Sequence, residues 1–219
     1  MVMIEDDLRD LRVKISKMAD VSIDMVDKAT YGLFNSDPTP LADVIAMDNV
    51  VDRMDNQIDE MVVRICAIRQ PEATDLRFIL SAVKINVFLE RVADNAVNIA
   101  EWAYKIIKHP PIKPYIDLPK MKDEALGMVK DAIEAFFSKD VQKSKGIIER
   151  DDIVDNYEIQ IIRELFTYIF ENPSVIKNAL RLMYVARALE RIADQATNIA
   201  ELAIFVANGE VYKHRRKKE

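Results

Sequence analysis

Eight acids in this chain fall into four pairs of one spacing. Asp48 and Asp52, Glu90 and Asp94, Asp151 and Asp155, and Glu190 and Asp194 are each four positions apart, which puts both members of a pair on one side of an α-helix. Carboxylates gathered this way repel one another and resist ionisation unless a cation neutralises them. Oxygen-only donors suit hard or borderline ions such as Mg²⁺, Mn²⁺ or iron, and no Cys or His stands with them to suggest structural zinc. Two of the pairs open nearly identical segments, "ERVADNAVNIAE" from Glu90 and "ERIADQATNIAE" from Glu190. A repeat kept only for packing should hold its apolar positions and let the polar ones drift; here the polar positions are kept. Asn98, Glu101, Asn198 and Glu201 carry the stripe two turns further, as outer ligands or as groups that orient the ligands.

The elements that must position these acids are helices. Only four Gly occur, and Ala, Ile, Met, Glu, Lys and Asp are abundant, a composition that favours helix over turn-rich sheet. The eight prolines act as boundaries, because proline breaks helix interiors. Asp37-Pro38 and Asn172-Pro173 read as N-caps followed by proline at the first helical position, with Gln70-Pro71 at the matching place in the first half. "HPPIKPYIDLPK" from His109 reads as a stiff linker. The two halves align: "KMADVSIDMVDKATYGLFNSD" from Lys17 with "KMKDEALGMVKDAIEAFFSKD" from Lys120, and "MDNVVDRMDNQID" from Met47 with "RDDIVDNYEIQII" from Arg150. The expected fold is all-α: two tandem, sequence-related three-helix bundles, six long antiparallel helices in all. The first repeat spans 1–109, the linker 110–119, the second repeat 120–212 and a basic tail 213–219.

Helices joined by a short loop run antiparallel, so residues equidistant from the loop sit at one height. Asp52 and Glu90 each lie 19 positions from Pro71, and Asp48 and Asp94 each lie 23. About Pro173, Asp155 and Glu190 lie at 18 and 17, Asp151 and Asp194 at 22 and 21. Two carboxylate clusters, one per bundle, are therefore expected. The competing reading is plain: a lone pair of acids at this spacing is usually a solvated face, and Arg91 or Arg191 would neutralise its neighbour as a simple ion pair.

Half of the residues are hydrophobic, which makes the chain globular rather than disordered. The formal net charge is −6, and since the last seven residues carry five bases and one acid, the remainder sits at about −10. That argues against nucleic acid as a partner. The basic tail reads as a solvated helix end, with contact to anionic lipid as the alternative. The N-terminal residues show neither a secretory nor a transit pattern, and no apolar run is long enough for a membrane span. Cys66 has no second cysteine to pair with and lies on an apolar stripe, as a buried core thiol would. The expected compartment is the cytoplasm. No catalytic nucleophile stands out, and the Glu-x-x-His motifs of carboxylate-bridged di-iron oxidases are missing, His109 and His214 lying in the linker and the tail.

At these residues the chain resembles the PhoU family of phosphate-uptake regulators, which carries a duplicated E-R-[IV]-x-D-x-x-x-N-I-A-E helix paired with a D-x-x-x-D helix in each of two three-helix bundles. The resemblance covers almost the whole chain. It implies a cytoplasmic, non-enzymatic negative regulator acting with the phosphate ABC transporter and the sensor histidine kinase of the phosphate-starvation response. It also implies divalent or trivalent metal ions in multinuclear clusters on Asp48, Asp52, Glu90, Asp94, Asp151, Asp155, Glu190 and Asp194, with iron foremost and manganese, magnesium or zinc as alternatives, and a homodimer. The family's second copy commonly has Gly before its Asp and His after it. Ala193 and Gln195 stand there in this chain, which leaves a set of carboxylates alone.

Overall fold

The structure is a computed structural model that describes residues 2–212, with side chains from residue 4. Six helices follow one another: α1 Val2–Asn35, α2 Thr39–Arg69, α3 Ala73–Ile106, α4 Asp117–Ser138, α5 Val141–Glu171 and α6 Ile176–Asn208. A single 3₁₀ turn, Pro173–Val175, precedes α6, and the described residues contain no strand. Helices α1, α2 and α3 pack as one antiparallel bundle and α4, α5 and α6 as a second. The two join through α3 against α6 and α1 against α4.

Local chemistry sets the breaks. Asp37 Oδ1 accepts from the Thr39 amide at 2.9 Å, and Asn172 Oδ1 accepts from the Ser174 amide at 3.1 Å, so both expected caps satisfy amides that the new helix leaves orphaned. Gln70-Pro71 differs. Gln70 ends α2 in the left-handed region with φ 47°, and α3 begins only at Ala73. The first-half turn is thus closed by a left-handed residue on the outgoing helix rather than by a cap on the incoming one. At the α1–α2 turn Gly32 is required by proximity: a Cβ there would lie 2.5 Å from Leu41 Cδ2 and 2.8 Å from the Asp37 carbonyl oxygen.

The linker is shorter and better anchored than its prolines suggest. Helix α4 starts at Asp117 and takes Pro119 into its first turn, where no amide donor is needed. Within the connection Tyr115 packs on Phe34 with ring centroids 5.6 Å apart, and the buried Lys113 forms an ion pair with Glu164. Cys66 is only partly buried, at the edge of the core rather than within it.

Each central helix is packed by three others, α3 by α1, α2 and α6, and α6 by α4, α5 and α3. Small side chains on the buried faces let these neighbours approach closely. Ala93, Ala96 and Ala100 of one repeated segment and Ala193, Ala196 and Ala200 of the other are all buried. The repeated sentence therefore records a packing requirement as well as an acidic one. Across the bundle junction Phe78 stacks on Phe136 at 5.1 Å, and Arg12 caps that pair, 4.8 Å from the Phe78 ring and donating to the Phe137 carbonyl at 3.2 Å.

Candidate functional site

In the first bundle the acids lie along the α2–α3 seam. Asp48, half-buried, is pushed above the usual carboxylate range by burial and then by Asp52 and Asp94. Asp94 is raised by burial and by Asp52, against a hydrogen bond with Glu90 that lowers it. Glu90 is raised by burial, then by Asp94 and Asp55, with Arg91 opposing. The four expected acids of this half therefore feel one another across the two helices. Asp94 is coupled to both Asp48 and Asp52, and the hydrogen bond from Asn86 to Asp55 joins residues 15 after and 16 before Pro71, so the register counted from Pro71 holds to within one residue.

The same seam brings in Asp55, which was not among the expected ligands. It lies three positions beyond Asp52, on the same face, and its own carboxyl is raised by burial, Asp59 and Asp52. Buried Asn86 holds it there: Asn86 Nδ2 donates to Asp55 Oδ1 at 2.7 Å, to the Asp55 carbonyl at 3.1 Å and to Asp59 Oδ1 at 3.3 Å. This tie fixes the register of α3 on α2. Arg91 makes no ion pair among the described residues, and the alternative of neutralisation by this neighbour is present only as the charge effect that lowers Glu90.

The second bundle repeats the arrangement at greater depth. Asp151 and Glu190 are each 5% exposed, and Asp155 and Asp194 are half-buried. Glu190 is lifted to about 7 by burial first, then by Asp194 and Glu158, with Arg187 opposing and Asp155 adding. Burial is thus the main reason that this carboxyl resists ionisation, and the neighbouring acids add to it. Glu158, also buried, shares the helical face of Asp151 and Asp155, as the sequence phase places it, although it was not among the expected ligands; it stands three positions beyond Asp155 as Asp55 is beyond Asp52. The cation that reaches it is Arg187, at 3.3 Å, one turn before Arg191. Gln195, in the place of the family's histidine, gives its amide to the Arg191 carbonyl at 3.2 Å, as Asn95 does to Arg91 at 2.7 Å.

Asn98 and Asn198 with Glu201 face elsewhere. They line two clefts at the α3–α6 junction, and neither Glu101 nor Glu201 contributes to the shifts of the clustered acids. The donor chemistry of both clusters fits a hard cation. Among the described residues, however, no three acidic, histidine or cysteine side chains converge closely enough to hold one ion. Binding would require the half-buried carboxylates to swing together along the seam. The basic tail falls outside the described residues, and no described helix is long and apolar enough to cross a membrane.

With this geometry in hand, the chain can be set beside known proteins. The PhoU domain matches it twice, over residues 15–103 and 118–203. A phosphate-specific transport system accessory protein PhoU homologue of Aquifex aeolicus is 40% identical over 213 residues, covering 97% of this chain and 96% of the relative. A homologue of the same name from Caulobacter vibrioides is 33% identical over 214 residues, 97% of this chain and 93% of its own. The crystal structure of PhoU from Pseudomonas aeruginosa superposes with a TM-score of 0.89 at 33% identity, covering 94% of this chain and 99% of that one. The phosphate transport regulatory protein PhoU from Streptococcus pneumoniae, at 23% identity, shares the fold with a TM-score of 0.88, over 96% of this chain and 100% of its own. Two matching domains, near-complete coverage and the paired acidic helices lead to one conclusion: this chain belongs to the PhoU family.

Proposed function

We propose that this protein is a regulatory accessory of a phosphate transport system. It restrains the phosphate ABC transporter and the sensor histidine kinase of the starvation response when phosphate is plentiful, from the cytoplasmic face and without catalysis of its own. The observation that carries this reading is the full-length kinship with accessory proteins of phosphate-specific transport.

In this reading the two clusters are metal sites, held in the first bundle by Asp48, Asp52, Glu90 and Asp94 and in the second by Asp151, Asp155, Glu190 and Asp194. A bound cation supplies the positive charge that lets these acids ionise together. What the chain itself contributes is position: Asn86 holds Asp55 and the α2–α3 register, Arg187 holds Glu158, and the buried alanines keep the central helices close. The raised carboxyls of both halves support the reading, since a site built only to be solvated would leave its acids at ordinary values. That no three donors converge among the described residues favours a second reading, an adaptor with acidic grooves and no metal. Elemental analysis of protein purified without chelator separates the two.

The regulatory role is tested by deleting the coding sequence and growing cells in excess phosphate. Phosphate uptake and starvation-reporter output should both rise and return to basal level on complementation. Unchanged uptake and reporter output would refute it.

A further inference from the structure

The repeat supplies its own control for the surface of this protein: wherever the second half departs from the first at an exposed position, the fold did not demand the change. One such departure is concentrated on α5 and α6. Phe166 and Phe170 stand where the first half has Val63 and Ala67, and Tyr184 and Arg187 stand where it has Lys84 and Val87. Phe166, Phe170, Ile176, Leu180 and Tyr184 are all exposed, Phe170 by 82%. The Phe166 and Phe170 rings lie 6.5 Å apart. Ile162 and Tyr184 line one cleft, a register that sets Phe166 level with Leu180 and Phe170 level with Ile176. The apolar strip thus runs about 12 Å along the hairpin.

At its inner end the strip opens into that cleft, of about 370 Å³, where Trp102 stacks on Tyr184 at 5.0 Å. The related cleft on the other side of the α3–α6 pair, with Lys84, Phe88, Asn198 and Leu202 in the equivalent places, is smaller, about 190 Å³. There the chain's own Val211 and Tyr212 form part of the lining. One cleft of the pair therefore already receives an apolar and aromatic stretch of polypeptide. The other has aromatic walls and no such segment among the described residues.

Charge says what kind of polypeptide fits. Arg187 and Arg191 line the cleft, Lys105 lies 4.4 Å from the Trp102 ring centroid, Arg181 donates to the Lys105 carbonyl at 3.4 Å, and the exposed Arg163 and Lys177 stand along the helices beside Phe166 and Ile176. Opposing them are the exposed Glu171, the buried Glu158, already paired with Arg187, and at the inner end Asp155 of the second cluster, level with Arg191. A locally basic border on a chain of net charge −6 selects an acidic partner. It also disfavours the chain's own basic tail. Concavity separates a protein partner from a lipid surface, since a membrane-inserting element projects apolar side chains whereas a cleft between helices receives them.

We propose that the α5–α6 face from Phe170 to the Trp102 cleft is a docking groove for an acidic amphipathic helix of another protein. Apolar side chains of that helix lie along Phe166, Phe170 and Leu180, one anchor enters the cleft, and its acids meet the arginine border. The groove needs neither metal nor phosphate, so it stands or falls separately from the regulatory reading above.

Trp102 is the sole tryptophan of the chain and lines the cleft, so its emission reports occupancy. The test titrates the full chain with two synthetic amphipathic helical peptides that share one apolar face, one flanked by Glu and one by Lys. The Glu-flanked peptide should shift the emission saturably, more weakly as salt rises. Phe170→Ser should weaken it about tenfold or more, and Leu80→Ser, on the equivalent first-half face, should leave it unchanged. Both replaced side chains are exposed, so equal thermal melts will show that the variants fold. No saturable shift, or equal binding of the Lys-flanked peptide, overturns the proposal. So does phosphatidylglycerol-vesicle binding, or self-association of the chain, that Phe170→Ser abolishes while peptide binding stays the same.

Discussion

Glu190 offers the most direct measurement of stored charge in the second cluster. Its carboxyl is buried and lifted from about 4.5 to about 7, so the folded protein holds a proton there that the unfolded chain has released. Between those values the native state binds more protons than the unfolded state, and stability must fall as pH rises. Below about 4.5 the group costs nothing; above about 7 the full cost is present. At 1.36 kcal/mol per unit, the difference amounts to about 3 kcal/mol. Glu190→Gln replaces the carboxyl by a neutral group of the same shape and removes this cost. In chelator, the variant should match the wild type near pH 4.5 and exceed it near pH 8 by about 3 kcal/mol, equivalent to about 6–12 °C in melting temperature for a chain of this size. Urea unfolding from pH 4.5 to 8 measures the difference. A residual slope from Glu90, Asp48 and Asp94, whose carboxyls are also raised, will remain in both proteins, and only their difference matters. Parallel pH profiles would refute the reasoning, because they would mean that Glu190 ionises as freely in the fold as in the unfolded chain.

Three other outcomes follow from the same structure. Asp94→Asn with Asp194→Asn should stabilise the metal-free protein and reduce bound metal, so that unfolding curves with and without Mn²⁺ or Fe²⁺ change order; identical responses to metal in mutant and wild type would count against the metal sites. Asn86→Ala, which strips the buried tie to Asp55 and Asp59, should cost about 1–3 kcal/mol in denaturant unfolding, and a change within error would show the register is set elsewhere. Gly32→Ala places a methyl 2.8 Å from the backbone oxygen of Asp37 and should cost about 1–3 kcal/mol, with a neutral result showing that the α1–α2 turn yields.

Periodicity and proline placement are local properties, and the sequence carried them openly. Six helices in two related bundles follow from the apolar stripes and the internal repeat, and the caps at Asp37 and Asn172 follow from short-range hydrogen bonding. So does the pairing of α2 with α3 and of α5 with α6, because a short loop leaves antiparallel neighbours little choice. The acidic stripes were legible for the same reason: helical phase is fixed once the helix is fixed. What only the tertiary structure decided depends on distance across the chain. That Asp55 and Glu158 join the clusters is decided by contacts across each seam, Asn86 to Asp55 and Arg187 to Glu158. The turn at Gln70 was also left to the structure: a left-handed residue ends α2 and no side-chain cap forms on α3. The unequal depth of the two clusters, with Glu190 shielded and Asp94 exposed, arises from how each seam is covered. The alanines of the repeated segments acquire their meaning only from tertiary packing, where they are buried in helices that each meet three others. Sequence phase says which acids share a face, and burial says how much their charge costs.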